Sequence, residues 1–162
     1  MGLAIIHSRA SVGVEAPPVT VEVHISNGMP GFTLVGLPET TVKEAKDRVR
    51  SAIINSRFEF PAKRITVNLA PADLPKEGGR FDLPIALGIL AASEQLPRTR
   101  LNECEFVGEL ALSGALRPVK GVLPAALAAK HIGRALIVPH DNGDQAALVG
   151  AAPHKSAQAL LE

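Results

Sequence analysis

The chain has 162 residues, a length that fits one domain. Hydrophobic residues make up 46% of it, enough for a buried core, but aromatic residues make up only 3%. That scarcity argues against a stacking platform for single-stranded nucleic acid, which uses aromatic faces. The formal net charge of +1 predicts no strong overall attraction to nucleic acid or to a membrane, and the single cysteine excludes an internal disulfide.

The first half of the chain predicts strands followed by a helix. The segment "LAIIHS" and the alternating "VTVEVHI" predict two strands. Asn27-Gly28 is typical of a β-hairpin turn, so we expect "FTLVG" to return as the next strand. The apolar spacing of "LPETTVKEAKDRVRSAIINSRF" predicts an amphipathic helix with a capping box formed by Thr41 and Glu44. The alternation of "RITVNL" predicts a further strand.

The second half mixes helices with short strands. The polar loop "APADLPKEGGR" leads into an apolar helix that we expect Asp82 to cap, with Pro84 in its first turn and an end near Gln95. The segments "CEFVGEL", "GALRPV" and "RALIVP" predict strands, and "LPAALAAKHIG" predicts a helix that stops at Gly133. We expect two more helices in "DQAALVGA" and "HKSAQALLE". No linker divides the chain, so residues 1–162 are predicted to form a single α+β or mixed α/β domain.

The turn "PKEGGRFD" at residues 75–82 has the glycines of a phosphate-binding or nucleophile-presenting loop. A P-loop needs Gly-Lys followed by Ser or Thr, whereas Gly79 is followed by Arg80 and Phe81. A nucleophile would have to be a Ser, Thr or Cys on the turn with a base in reach, and the turn contains none. The residues therefore favour neither a cofactor site nor a catalytic site here.

Metal binding is also disfavoured by the sequence. The five histidines are scattered and lack the H-x-x-x-H spacing of a zinc site. The segment "VPHDNGD", with His140, Asp141 and Asp144, lacks the residue order of a calcium loop and predicts an exposed turn. We expect no metal in this chain.

Basic residues cluster between positions 43 and 64 and could meet phosphates. The alternative is an ordinary solvated helix face with i,i+4 pairs such as Lys43 with Asp47, which the near-zero net charge favours. The residues alone leave both interpretations open.

Two long segments, "GLPETTVKEAKDRVRSAI" and "NLAPADLPKEGGRFDLPIAL", closely resemble the ComM/YifB family of magnesium-chelatase-like AAA+ proteins, and "FVGELALSGALRPVKG" continues the resemblance. The similarity covers nearly the whole chain and corresponds to that family's N-terminal domain. It implies that an AAA+ ATPase domain, which binds ATP and magnesium, lies C-terminal to this domain in the full-length protein. It also implies that this chain holds no cofactor of its own.

The family's N-terminal domain is similar to the proteolytic domain of Lon, which implies a Lon-like mixed sheet with packed helices. Lon-type proteases carry P-K-D-G-P-S-A-G at the turn, and Arg80 stands where that motif has its Ser. In the second Lon motif, Leu123 stands where the activating Lys belongs. The resemblance thus implies that the protease dyad is missing and that this chain is not an enzyme.

The resemblance further implies a hexameric, ATP-driven helicase that moves DNA branches during natural transformation. The single cysteine fits a cytoplasmic setting. We therefore expect this domain to support ring assembly with its own AAA+ domain and with neighbouring subunits, and to contact DNA weakly without regard to sequence. No membrane partner is expected. The alternatives are a degenerate protease lobe that binds proteins or is purely structural, and a subunit of a metal-insertion ATPase. The candidate DNA-contact residues are Lys43, Lys46, Arg50, Arg57, Lys76 and Arg80.

Overall fold

The computed structural model describes residues 2–76, 79–98 and 101–139 and the backbone of residues 154–157. The strands are β1 (Leu3–Arg9), β2 (Pro18–Ser26), β3 (Gly31–Val35), β4 (Arg64–Ala70), β5 (Cys104–Phe106), β6 (Glu109–Leu110), β7 (Leu116–Arg117), β8 (Ala135–Pro139) and β9 (His154–Ala157). The helices are α1 (Glu39–Asn55), α2 (Asp82–Ala92) and α3 (Val122–His131).

A mixed sheet of seven strands runs in the order β3-β4-β2-β1-β5-β8-β9, and β6 and β7 form a small antiparallel hairpin beside it. Strands β1, β2 and β4 are antiparallel neighbours, whereas the pairings β3–β4, β1–β5, β5–β8 and β8–β9 are parallel. Strands and helices therefore combine as a mixed α/β fold, as the sequence predicts.

The core lies against one face of this sheet. Val21 of β2 lies opposite Ile6 of β1 and Leu69 of β4, and all three side chains are buried. Successive strand residues point to opposite faces, so the predicted alternation places one apolar row inward on each strand. On the opposite face His24 and Thr66 are exposed.

Helix α2 is buried between this apolar face and α1. Every residue of α2 except Leu87 is buried, and the helix contacts β1, β2 and α1. Gly88 permits this approach, because a Cβ there would overlap Val23. Helix α1 contributes a buried apolar face formed by Ala45, Val49, Ala52 and Ile53. Helix α3 packs on β8 and completes a second cluster around Leu136 and Val138.

The predicted hairpin between β2 and β3 is wrong. Strand β4 lies between them, antiparallel to β2 and parallel to β3, with Leu34 opposite Val67. Helix α1 connects β3 to β4, and a helical crossover of this length returns the chain in the same direction. The Asn27-Gly28 turn is therefore followed by a strand that pairs with a later partner.

Both predicted helix caps are also wrong. Helix α1 begins at Glu39 after Pro38, and Thr41 Oγ1 donates a hydrogen bond to the Pro38 carbonyl at 2.9 Å instead of capping. Helix α2 begins at Asp82 itself, after Phe81, and neither helix has a side-chain cap. The Asp82 carboxylate is occupied by partners outside its own helix.

The C-terminal prediction needs a further correction. Residues His154–Ala157 form β9 parallel to β8, so a helix is wrong for that part of "HKSAQALLE". The remainder of that segment, the helix predicted in "DQAALVGA", and the turn with His140, Asp141 and Asp144 lie outside the described residues.

Candidate functional site

The glycine turn before α2 buries its two described cations. Lys76 is 2% exposed, and its ammonium donates to the carbonyls of Pro71 at 2.6 Å and Leu74 at 3.0 Å. Burial lowers the pKa of Lys76, and Asp73 opposes that shift. The Lys76 side chain therefore stabilises the loop through these two carbonyls and does not face solvent.

Arg80 joins three segments of the chain. It is 5% exposed; its Nε donates to the Arg9 carbonyl at 2.9 Å and its Nη1 donates to the Lys120 carbonyl. Its Nη2 is buried and has no hydrogen-bond partner among the described residues. Burial lowers the pKa of Arg80 to about 10. Arg80 and Lys76 are DNA-contact candidates predicted from the sequence, and their burial disfavours that role.

Asp82 connects α2 to α1 and β6. Arg48 donates to its carboxylate through Nε at 2.6 Å and Nη2 at 3.2 Å, and the Leu110 N–H donates at 3.1 Å. Burial raises the pKa of Asp82 to about 6, although the contacts with Arg48 and Leu110 act in the opposite direction. Glu109 adds a small rise. The residue expected to cap α2 is instead the buried carboxylate of an ion pair whose Arg48 side remains partly exposed.

The other four candidates lie along α1 and just beyond its end. Lys43 and Arg50 are exposed and Lys46 is half-buried. Lys46 and Arg50 follow Lys43 by three and seven positions, which places all three on one side of the helix. Arg57 is exposed after the helix ends, in a left-handed conformation with φ of 69°. The structure thus brings Lys43, Lys46 and Arg50 together, and we call these three the α1 stripe.

Two phenylalanines support this stripe. Lys46 Nζ lies 5.8 Å from the centroid of the Phe32 ring, and the Arg50 guanidinium carbon lies 4.9 Å from that of Phe60. The ring centroids are 5.6 Å apart. Cations at these distances are attracted to the aromatic faces, which orients them without neutralising their charge. The sequence did not point to this arrangement, because Phe32 and Phe60 lie outside the helix and its periodicity does not include them.

A second missed group is buried in the sheet between β1 and β5. Glu105 is fully buried and accepts hydrogen bonds from Arg9 at 2.6 and 3.1 Å and from Arg134 at 3.3 Å. Arg9 also donates to the Ala16 carbonyl at 2.8 Å. Burial, followed by the charge of Arg134, lowers the pKa of His7. These interactions join strands far apart in sequence, and no local pattern signals them.

The described parts of the chain contain neither a metal-binding cluster nor a membrane-spanning helix. Within residues 2–76, 79–98 and 101–139, no three His, Cys, Asp or Glu side chains come together to hold a metal ion. None of the described helices has the length and apolar character to cross a membrane.

Sequence comparison with known proteins identifies the family of this chain. The model of subunit ChlI of Mg-chelatase matches residues 21–142. The chain belongs to this family. It is 66% identical over 162 residues to competence protein ComM of Haemophilus influenzae, which covers 100% of the chain and 32% of that protein. YifB of Escherichia coli is 66% identical over 149 residues, covering 92% of the chain and 29% of that protein.

A more distant similarity connects this ChlI-family domain to Lon. Lon protease 2 of Bacillus subtilis is 33% identical over 73 residues, which is 44% of the chain and 13% of that protein. The resemblances to the ComM/YifB family and to Lon are therefore confirmed. The chain spans about a third of the length of ComM and less of YifB.

The structure places the two residues that the Lon resemblance aligns with the protease dyad. Arg80, in place of the Ser, uses its guanidinium to bind two backbone carbonyls. Leu123, in place of the Lys, lies on α3 and is 39% exposed. Neither an arginine nor a leucine side chain can act as a nucleophile or a general base, so these two residues cannot form a Lon-type dyad.

Proposed function

We propose that this domain is the non-catalytic module of an ATP-driven DNA branch-migration motor of the ComM family and contacts DNA through the α1 stripe. The observation that carries the proposal is the exposure of Lys43 and Arg50 beside Lys46, with two of the three cations held over aromatic rings. Charged ends so placed are available to phosphates, and phosphate contacts suit a motor that must move regardless of sequence.

A single copy of the stripe is expected to bind weakly. Glu44 and Asp47 are exposed on the same helix and offset part of its positive charge, and the chain as a whole has a net charge of only +1. A hexameric ring would present several copies along one strand and raise the effective concentration of cations. The proposed partners are therefore the neighbouring subunits, the protein's own AAA+ domain and DNA, all in the cytoplasm.

The test uses the full-length protein with Lys43→Glu and Arg50→Glu combined. We expect the DNA dissociation constant at 0.15 M salt to rise by about tenfold or more, while basal ATP hydrolysis is unchanged. The matched control combines Arg117→Glu with Lys130→Glu, two exposed cations outside α1. Equal effects of the two double variants, or none from the first, would reject the α1 stripe as the DNA contact.

The proposal assigns no catalysis to this chain. ATP and magnesium are proposed to bind the separate ATPase domain, so calorimetric titration of the isolated chain with magnesium-ATP should give no saturable heat. Incubation with unfolded protein should give no cleavage, because the turn has Arg80 in place of a nucleophile. A cleavage activity that disappears in Ser113→Ala would contradict this assignment.

A protein-binding lobe is the second candidate function. Val14 is 88% exposed and Met29 is 80% exposed, each at the tip of a connection between strands. Apolar side chains so exposed can be covered by a partner protein. If the α1 stripe variant binds DNA normally and the double variant Val14→Ser with Met29→Ser prevents ring assembly, the protein-binding function is favoured over DNA contact.

A further inference from the structure

A cavity of about 350 Å³ opens beside the glycine turn. Three connections enclose it: the segment after β1, the turn before α2, and the loop between β7 and α3. The residues that border it are Ser11, Gly79, Arg80, Glu109, Pro118, Val119 and Lys120.

The wall of this cavity contains a buried guanidinium with an unused donor. Arg80 uses Nε and Nη1 for the carbonyls of Arg9 and Lys120, but its buried Nη2 has no partner among the described residues. A buried cation with an unsatisfied N–H group is unfavourable, so an acceptor with a negative charge would be stabilised there. The burial that lowers the pKa of Arg80 to about 10 leaves the side chain protonated at neutral pH.

Other groups at the cavity also suit a small anion. Lys120 is exposed at the rim and provides a second cation, and Ser11 provides a hydroxyl. Gly121, with φ of 75°, lets Ser11 pack directly against the backbone beside Arg80, since a Cβ there would overlap Ser11 Oγ and lie 3.6 Å from Arg80 Nη1. The close approach of these segments thus depends on a residue without a side chain.

We infer that this cavity binds a carboxylate group. One carboxylate oxygen would accept from Arg80 Nη2 once the atoms that cover this nitrogen move aside, and the other would face the Lys120 ammonium and the Ser11 hydroxyl. A guanidinium fork and an ammonium are the donors that recognise carboxylates in proteins. The site is chemically distinct from the α1 stripe and shares no residue with it.

The negative charge of Glu109 favours a singly charged carboxylate over a more highly charged anion as the ligand. Its half-buried side chain borders the same cavity, so a doubly charged phosphate would meet a carboxylate as well as the two cations. A monoanion is repelled less, and an N–H group on the same ligand can donate to Glu109. The carboxylate can come from a small free acid or from the C-terminus of a polypeptide.

The binding test is a heteronuclear NMR titration of the 162-residue chain, which has its own buried core. Sodium acetate should give saturable shifts in the millimolar range, confined to the backbone amides of residues 11, 79–80 and 119–121. Sodium chloride at matched ionic strength should not reproduce them. Chloride shifts of equal size, tighter binding of inorganic phosphate than of acetate, or no saturable shift at all would overturn the inference.

Two peptide probes identify the source of the carboxylate. N-acetyl-glycyl-glycine that binds about tenfold tighter than acetate, with no binding of its C-terminal amide, would support a polypeptide C-terminus. Equal affinity of the acid and acetate would support a small free acid. Binding of the amide as tight as that of the acid would overturn the assignment, because the amide has no charge for Arg80.

Two variants with opposite expected effects on acetate affinity separate a change in binding from a loss of folding, because misfolding can only weaken binding. Glu109→Gln should tighten acetate binding by about threefold, and Lys120→Gln should weaken it by a similar factor. Arg80→Gln should abolish acetate binding. Because the substitution also removes two hydrogen bonds to backbone carbonyls, the NMR spectrum of the variant must first show that the protein is folded. Lys43→Glu with Arg50→Glu is the control and should leave acetate affinity unchanged. Unaltered affinity in both Glu109→Gln and Lys120→Gln would reject the site.

Discussion

Arg48 and Arg50 lie two positions apart on α1 and have opposite environments. Arg48 forms a two-pronged ion pair with Asp82, whose side chain is 1% exposed, whereas Arg50 is exposed above the Phe60 ring. The same contrast separates the glycine turn, where Lys76 and Arg80 are buried against carbonyls, from the α1 stripe. Identical residue types hold the fold in one region and remain available to a partner in the other.

The difference follows from what a cation loses on burial. A buried ammonium or guanidinium must replace its water with protein acceptors, so its position is determined by the carbonyls and carboxylates around it. An exposed cation keeps its water and contributes little to stability. Substitutions in the glycine turn should therefore change unfolding, and substitutions in the α1 stripe should change binding.

The largest expected effect is that of Arg48→Met. It leaves the Asp82 carboxylate buried without its main partner and should lower the free energy of unfolding at pH 7 by about 3 kcal/mol. Arg50→Met, the matched control on the same helix, should change it by less than about 0.5 kcal/mol. Urea unfolding measures both, and equal losses would remove the distinction between the two arginines.

A pH titration of stability sharpens the role of Asp82. Its folded pKa of about 6 is above its ordinary value of 3.8, so the folded state binds the proton more tightly than the unfolded chain. The associated stability is fully present below about pH 4 and is lost as the pH rises through 6, by about 2–3 kcal/mol. Asp82→Asn should flatten this part of the curve. A wild-type curve that rises between pH 4 and 6 while Asp82→Asn stays flat would show that the ion pair with Arg48 outweighs burial.

Lys76→Met tests the buried ammonium. It removes the donor to the Pro71 and Leu74 carbonyls and should lower the free energy of unfolding by about 1–2 kcal/mol. Lys43→Met, on the exposed surface, should have almost no effect in the same urea experiment. If Lys76→Met is as stable as wild type and instead weakens DNA binding, the assignment of this lysine to the fold is wrong.

The smallest effect is expected from Arg50→Gln in the full-length protein. Loss of one phosphate contact should reduce the slope of log affinity against log salt by about 0.7–0.9 and weaken DNA binding only a few-fold. Thermal unfolding should be nearly unchanged, since the guanidinium is exposed. An unchanged salt slope would mean that Arg50 does not touch phosphate.

Local patterns predicted most of the elements. The alternation in β2 and β4 and the apolar face of α1, with Ala45, Val49 and Ala52, are found as expected. Those patterns need only neighbouring residues, because the period of a strand or helix is fixed by its backbone geometry. The prediction of a β2–β3 hairpin failed because β4, a strand later in the chain, occupies the position beside β2.

The candidate site was predicted only in part. Exposure of Lys43 and Arg50 agrees with their place on the polar side of an amphipathic helix. The turn around Arg80 was recognised from its residues as one without a nucleophile, but its cations were assigned to the surface. No periodicity exists in such a loop, so the sequence contains no signal for the burial of Lys76 or Arg80.

By itself the sequence determined most of the strands and helices, the resemblance to the ComM/YifB family and the presence of Arg80 and Leu123 where the Lon motifs have Ser and Lys, because each depends on residue identity and short-range spacing. The tertiary structure alone decided which charges are buried. Arg9 meets Glu105 across 96 positions, Arg80 meets the Lys120 carbonyl across 40, and Arg48 meets Asp82 across 34. Whether a charged side chain loses its water depends on segments that become neighbours only on folding, and this determines whether the residue supports the fold or remains available for a ligand.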